Sequence, residues 1–222
     1  MSYTLDTKQA KAADNIASSI RESGKYIGTI TRAEALVSES GTKGIGLSFK
    51  ADDGATADYL DLYTHRSNGE ALSSLKTVNA FLACLKLRTI NEGPITFERW
   101  DKTAGQRIKV QEKGYPELMG KRIGLLLRKF LDTKQDGTDR DGVEIFGVFQ
   151  ADTELTASEV LDQRTKPERL TRMVEALAAR PIYDKRKKSG SGGGSQQHPH
   201  STTTRQAATS TGFDNMDDDI PF

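Results

Sequence analysis

The chain changes character at residue 188, and that break decides how much of it can fold. Ser189-Gly190-Ser191-Gly192-Gly193-Gly194-Ser195 opens a run of Gly, Ser, Gln, His, Thr and Pro with no large apolar residue before Phe213. Such a stretch cannot bury enough apolar surface to offset its ordering entropy, so residues 189–212 are expected to form a disordered tether. Any hydrophobic core must come from the first 188 of the 222 residues. The hydrophobic fraction of 35% is low for a wholly packed chain, as that division requires.

The same break divides the charge. Residues 1–188 carry 31 Lys and Arg against 27 Asp and Glu, a net of +4. The remainder has Arg205 against Asp214, Asp217, Asp218 and Asp219, a net of −3. A mildly basic body with an acidic end points to nucleic acid or to a basic partner. The single cysteine, Cys84, leaves no internal disulfide and fits a reducing compartment. Its apolar neighbours, Phe81-Leu82-Ala83 and Leu85, make it a buried, inert thiol. The amino terminus lacks the basic-then-apolar order of a signal peptide, and no uncharged apolar run is long enough to cross a bilayer. The expectation is a soluble cytoplasmic protein with no membrane partner.

Within the body, residues 7–22 are Ala-rich and read as a short helix before Gly24. Strands follow over residues 25–37, then 45–50, where Ile45, Leu47 and Phe49 alternate with Gly46, Ser48 and Lys50, and then 59–64. Apolar residues then recur at helical spacing over 70–87: Leu72, Leu75, Val78, Leu82 and Leu85. A hairpin over 95–100 and 107–110 flanks Asp101-Lys102-Thr103-Ala104-Gly105. Two further strands, 121–131 and 143–151, are joined by an Asp- and Gly-rich turn, and helices are expected over 153–161 and 167–179. Three strands, a helix, an inserted hairpin and two strands is the order of an OB-fold, a five-stranded Greek-key barrel that binds oligonucleotides across one face. The fold class expected is mainly β with helices: an OB-fold barrel with an inserted hairpin, terminal helices and a disordered C-terminal tail. A ferredoxin-like or split-sheet domain has a similar element count.

No catalytic constellation stands out. Residues 114–122 are one residue too long for a phosphate-binding loop and carry Arg122 where that loop has Ser or Thr. Lys134 occupies a ligand position in the aspartate-rich turn, which removes a calcium loop. His65, His198 and His200 are scattered, and with one Cys they supply no zinc pattern. The expectation is a protein that is not an enzyme and has no cofactor and no metal.

The chain closes on Phe213-Asp214-Asn215-Met216-Asp217-Asp218-Asp219-Ile220-Pro221-Phe222. A solubilising tail accounts for the aspartates but not for two large apolar residues at the end. Phe222 suits an apolar pocket, its carboxylate a partner cation, and the aspartates a basic rim. The string Asp217-Asp218-Asp219-Ile220-Pro221-Phe222 resembles the carboxyl-terminal peptide of bacterial single-stranded DNA-binding proteins. The resemblance implies docking of replication, recombination and repair proteins. Asn215 and Met216 depart from that family, which usually has an acidic and an aromatic residue there. The body, through Lys25-Tyr26-Ile27-Gly28-Thr29-Ile30, Gly41-Thr42-Lys43-Gly44 and Asn79-Ala80-Phe81-Leu82, is similar to the OB-fold versions carried by bacteriophages and prophages. That implies action in a bacterial host cell in association with the nucleoid. It leaves open the oligomeric state and whether the chain is a homo-oligomer, since the cellular family is commonly tetrameric and phage versions vary.

Single-strand binding needs a basic groove for phosphates and aromatic faces for bases. Tyr59 and Tyr63 share one strand face, opposite Leu60 and Leu62, and form either a stacking platform or ordinary barrel packing. The hairpin combines Trp100 with Arg99, Lys102, Arg107, Lys109 and Lys113, a finger able to close over a strand; the alternative is a solvated hairpin balanced by Glu98, Asp101 and Glu112. Arg122 and Arg128 flank an apolar strand as phosphate contacts or as a charged, soluble edge. Arg180, Lys185, Arg186, Lys187 and Lys188 hold DNA or, in its absence, the chain's own tail. About two dozen flexible residues reach on the order of 25–30 Å, so the tail can compete with DNA at an effective concentration of order mM.

These readings divide the chain into an N-terminal helix (1–24), a DNA-binding OB domain (25–165), a helix with a basic cluster (166–188), a linker (189–212) and an acidic docking tail (213–222). The expected function is to coat and protect single-stranded DNA and to recruit partners through the tail. The alternatives are a recombination accessory or annealing protein, and a decoy that mimics the host tail without binding DNA.

Overall fold

The computed structural model describes Leu5, Thr7 and residues 19–101, 103–134 and 136–186. The linker 189–212, the tail 213–222, Lys187 and Lys188 lie outside the described residues, as does most of the segment expected to be the first helix. The described end of that segment is not helical: Ser19 bridges Thr56 and the Ile20 amide donates to the Thr56 carbonyl at 2.8 Å. Ile20 is buried, so core packing pulls this stretch out along the sheet.

The fold is mainly antiparallel β. Strands β1 (Gly24–Val37), β2 (Lys43–Ala51) and β3 (Thr56–His65) form a meander, followed by helix α1 (Ser74–Cys84). A hairpin of β4 (Gly93–Asp101) and β5 (Gln106–Gly114) comes next, then β6 (Arg122–Thr133) and β7 (Asp139–Phe149). Helices α2 (Ala157–Leu161) and α3 (Glu168–Ala179) and a short strand β8 (Ile182–Asp184) complete the described chain. β8, which pairs in parallel with β6, has no counterpart in the sequence reading. Among the described residues, no helix is long and apolar enough to cross a membrane.

Strand β1 organises the sheet. It pairs with β6 over Gly24–Thr29, with β2 from Gly28 onward, and touches β5 at Glu34↔Gly114. One strand serves several neighbours because a bulge between Ile30 and Arg32 bends it. The bulge inserts Thr31, so Ile30 and Ala33 both enter the core and Arg32 turns outward from it. β3 and β7 are not paired among the described residues, so the sheet is not closed through that edge.

The core is made by Ile30, Leu47, Phe49, Leu60, Ile123, Leu125 and Leu127, with Val78, Phe81 and Cys84 of α1 laid against them. Burial pushes the Cys84 thiol up to about 12, so it stays protonated. The helix is shorter than residues 70–87: Lys86 adopts a left-handed conformation (φ 56°) and the Leu87 amide donates to the Leu82 carbonyl. Its buried stripe is Val78–Phe81–Cys84, while Leu75, Leu82 and Leu85 are only half-buried. β2 was expected to be half-buried, yet Gly44 through Phe49 are buried on both faces. β6 is also buried on both faces, with Leu126 joining Phe149, Leu170 and Leu177 in a second cluster under α3. Gly124 permits this, because a Cβ there would lie 2.1 Å from the Phe149 ring. β7 begins earlier than expected: Asp132 pairs with Arg140 in register and accepts its guanidinium at 2.7 Å, which draws the Asp- and Gly-rich segment into the ladder.

Candidate functional site

The outer face of the β1–β2–β3 meander carries three cross-strand rows. Leu36, Gly44 and Tyr63 form one, Glu34, Gly46 and Asp61 the next, and Arg32 and Ser48 the third, facing the irregular stretch of β3 that holds Tyr59. The middle strand thus offers only Gly, Gly and Ser between taller flanks. The β2–β3 register slips between Leu47 and Phe49, and Tyr59 takes a left-handed conformation there (φ 59°) that is rare for a bulky residue. It is 74% exposed, with its ring 5.3 Å from the Arg32 guanidinium carbon. Tyr63 is exposed on the same face, and Leu60 and Leu62 are buried on the other, as their alternation requires.

Arg32 is 9% exposed and also lies 5.7 Å from the Phe97 ring, so its guanidinium sits between an aromatic of β3 and one of the hairpin. Its partners are distant: Glu34 and the Leu47 carbonyl, each at 3.5 Å, while Nε is buried without a partner. Desolvation raises the Asp61 pKa above the usual carboxylate value; Arg32 opposes the shift and Glu34 adds to it.

The hairpin splits the expected basic finger between two faces. In register, Trp100↔Arg107, Glu98↔Lys109 and Pro94↔Lys113 point to one side. Phe97↔Val110 and Arg99↔Ile108 point to the other, towards Arg32 and Glu34. Residues 99 and 100 are neighbours on a strand and cannot share a face. Arg99 reaches Glu34 at 2.8 Å and Glu112 at 3.6 Å, with its guanidinium 5.2 Å from Phe97. Trp100 is 58% exposed beside Arg107 and Lys109 on the solvent side. Lys102 lies outside the described residues. The hairpin root is held by the Tyr115 amide, which donates to the Ala33 carbonyl at 2.8 Å.

The cations of β6 are engaged elsewhere. Arg122 joins Asp52 at 2.6 Å and Asp152 at 2.9 Å, and its pKa rises through the hydrogen bond and charge of Asp52. Arg128 joins Glu144 at 2.7 Å and lies over Phe146 and Tyr183. Of the expected basic cluster, Lys185 pairs with Glu144 and Arg186 with Asp139 and Asp184, while Arg180 is exposed. The docking residues Asp217, Asp218, Asp219, Ile220, Pro221 and Phe222 lie outside the described residues.

The structure therefore brings Tyr59, Tyr63 and Arg99 to one surface and Trp100, Arg107, Lys109 and Lys113 to another. Arg32 and Phe97 join the first and were missed by the sequence reading. Their signal is weak: Arg32 is one of three charges in its strand, with Lys25 and Glu34, and its outward direction depends on the bulge at Thr31. No family model matches the chain, and no curated protein matches it.

Proposed function

We propose that this chain binds single-stranded DNA across the face carrying Tyr59 and recruits other proteins through the acidic peptide 217–222. One observation carries the reading. A tyrosine held in a strained conformation, three-quarters exposed and backed by a guanidinium, has the form of a base-stacking platform. Core packing does not account for it, since the ring faces solvent. Arg107, Lys109 and Lys113, which have no ion pair among the described residues, supply charge beside the exposed Trp100. The strand lies along Tyr63 and Tyr59 and continues round the hairpin to Trp100.

The proposed fold is an OB-like barrel. The order of three strands, a helix and two strands favours it, as does β1 shared between β2 and β6. The missing β3–β7 pairing makes it an open version. The proposed lineage is the phage and prophage type, resting on the segments at 25–30, 41–44 and 79–82 and on the tail. The proposed partners of the tail are replication, recombination and repair proteins.

Fluorescence anisotropy of a labelled oligo-dT against wild type and Tyr59→Gly, across a salt series, tests the reading. Wild-type binding is expected to weaken with salt by about 0.7 log units per decade for each phosphate contact. Tyr59→Gly is expected to lose about 1–3 kcal/mol, roughly 5- to 150-fold. Absence of wild-type binding to any single strand rejects the DNA function.

A further inference from the structure

Two groups of cations in the described chain contrast. Those of β6 and of the residues just after β8, namely Arg122, Arg128, Lys129, Lys185 and Arg186, meet carboxylates within 2.6–3.1 Å. Those around α3, namely Arg164, Lys166, Arg169, Arg172 and Arg180, are exposed and have no ion pair among the described residues.

Helix geometry sorts the second set. At about 100° per residue, Arg169 and Arg172 lie about 60° apart on the exposed side of α3, with Ala176 one turn beyond Arg172, and Arg180 follows just past the end of the helix. Glu168 and Glu175 each lie one turn from Arg172 on the same exposed side, though neither closes an ion pair with it, and Leu170, Val174 and Leu177 pack down onto Leu126 and Phe149. Arg169 and Arg172 are separated by about 4.5 Å along the axis. The amino-terminal amides of the helix are not the attraction: buried Glu159 already accepts the Arg169 amide at 2.7 Å, together with the Thr156 amide and hydroxyl. Its charge is thereby held inside. Glu159 also lines a cavity of about 330 Å³ in which Arg164, Lys166, Arg169 and Arg172 face it, Asp162 and Glu168, with no apolar side chain in the lining.

We infer that this flank is a second contact surface for the phosphodiester backbone of a nucleic-acid strand, reading charge and not bases. An acidic peptide like residues 213–222 needs an apolar pocket for Ile220 and Phe222, which this cavity lacks. A sugar-phosphate chain needs only spaced cations, and the small Ala176 one turn beyond Arg172 leaves room for it. The inference rests on the DNA-binding reading and extends it: a strand long enough to leave the Tyr59 face is held again at α3, while a short one is not.

The full-length protein and an Arg169→Gln/Arg172→Gln variant are titrated with oligo-dT of about 8 nucleotides, within the span of one OB-fold, and of about 30. The variant is expected to bind the short strand like wild type. It is expected to bind the long one roughly tenfold more weakly, with a salt slope reduced by about 1.4. Both residues are exposed, and an unchanged melting temperature confirms folding. Unchanged affinity for the long strand overturns the inference, as does an equal loss on both lengths. A labelled peptide of residues 213–222 that binds wild type but not the variant, with DNA affinity unaltered, assigns the flank to acidic peptides and also overturns it. If wild type binds neither strand, the DNA-binding reading itself fails and the inference falls with it.

Discussion

Tyr59 holds a left-handed backbone conformation that costs a non-glycine residue about 1–2 kcal/mol. The ring recovers part of this over the buried Arg32, in a cation–π contact that is open to solvent on the ring side and contributes about 0.5–1 kcal/mol. Tyr59→Gly removes both, so its melting temperature is expected to equal or exceed the wild-type value while oligonucleotide affinity falls. Calorimetry beside anisotropy reads the two; a large loss of stability would show the ring to be packing. Glu159 gives a pH-dependent effect. Burial acts to raise its pKa, but hydrogen bonds from Arg169, Thr156 and Glu168 outweigh it, and the net shift is downward from 4.5. A depressed carboxylate contributes stability that is complete above its unfolded pKa and is lost as pH falls through the folded one. The wild-type melting temperature is therefore expected to drop below about pH 4.5, and Glu159→Gln to show a flatter acid limb. Tyr59 and Tyr63 were legible as a pair because strand alternation is local. Arg32 was not, because a one-residue bulge reverses which side chains face out, and nothing in the residues 30–32 themselves marks it.

The β4–β5 hairpin is an element of its own, joined to the sheet through the Glu34↔Gly114 pair and the ion pair of Glu34 with Arg99. A Cβ at Gly114 would lie 2.2 Å from the Ala33 carbonyl and 2.4 Å from Ile95. Gly114→Ala is expected to destabilise by about 1–3 kcal/mol and to displace the hairpin root. Amide exchange should then accelerate in β4 and β5 while β2 and β6 stay protected; uniform acceleration would mean that the hairpin is part of the core. The hairpin strands and their turn were readable from their residues. The separation of Arg99 from Trp100 follows from alternation alone, whereas the direction of Arg99 towards Glu34 needs β1 in place. β8 was unreadable: three residues carry too little periodicity, and the strand exists because the edge of β6 beyond β1 is open to pairing.

At the scale of the molecule, charge is distributed by pairing more than by count. The body carries a net +4, and much of its β6–β8 charge is closed into pairs with Asp52, Glu144, Asp152 and Asp139. Exposed cations without an ion pair among the described residues include those on the hairpin and around α3. On the proposed DNA-binding function, an acidic segment tethered to such a body is expected to compete with DNA for them, so deleting residues 215–222 is expected to tighten oligonucleotide binding, most at low salt where screening is weakest. Anisotropy of wild type and truncation at two ionic strengths checks this, and equal affinities would remove the competition. By itself the sequence determined the number and order of the main strands, the apolar residues that fill the core, and the break at residue 188, because each depends on periodicity or composition within a short window. Only the tertiary structure decided that Arg122 and Arg128 are engaged while Arg169 and Arg172 are not, and that Phe97 meets Arg32. Those outcomes depend on residues up to 70 positions apart being brought within a few ångströms, as Arg122 is to Asp52, and no local pattern encodes that distance.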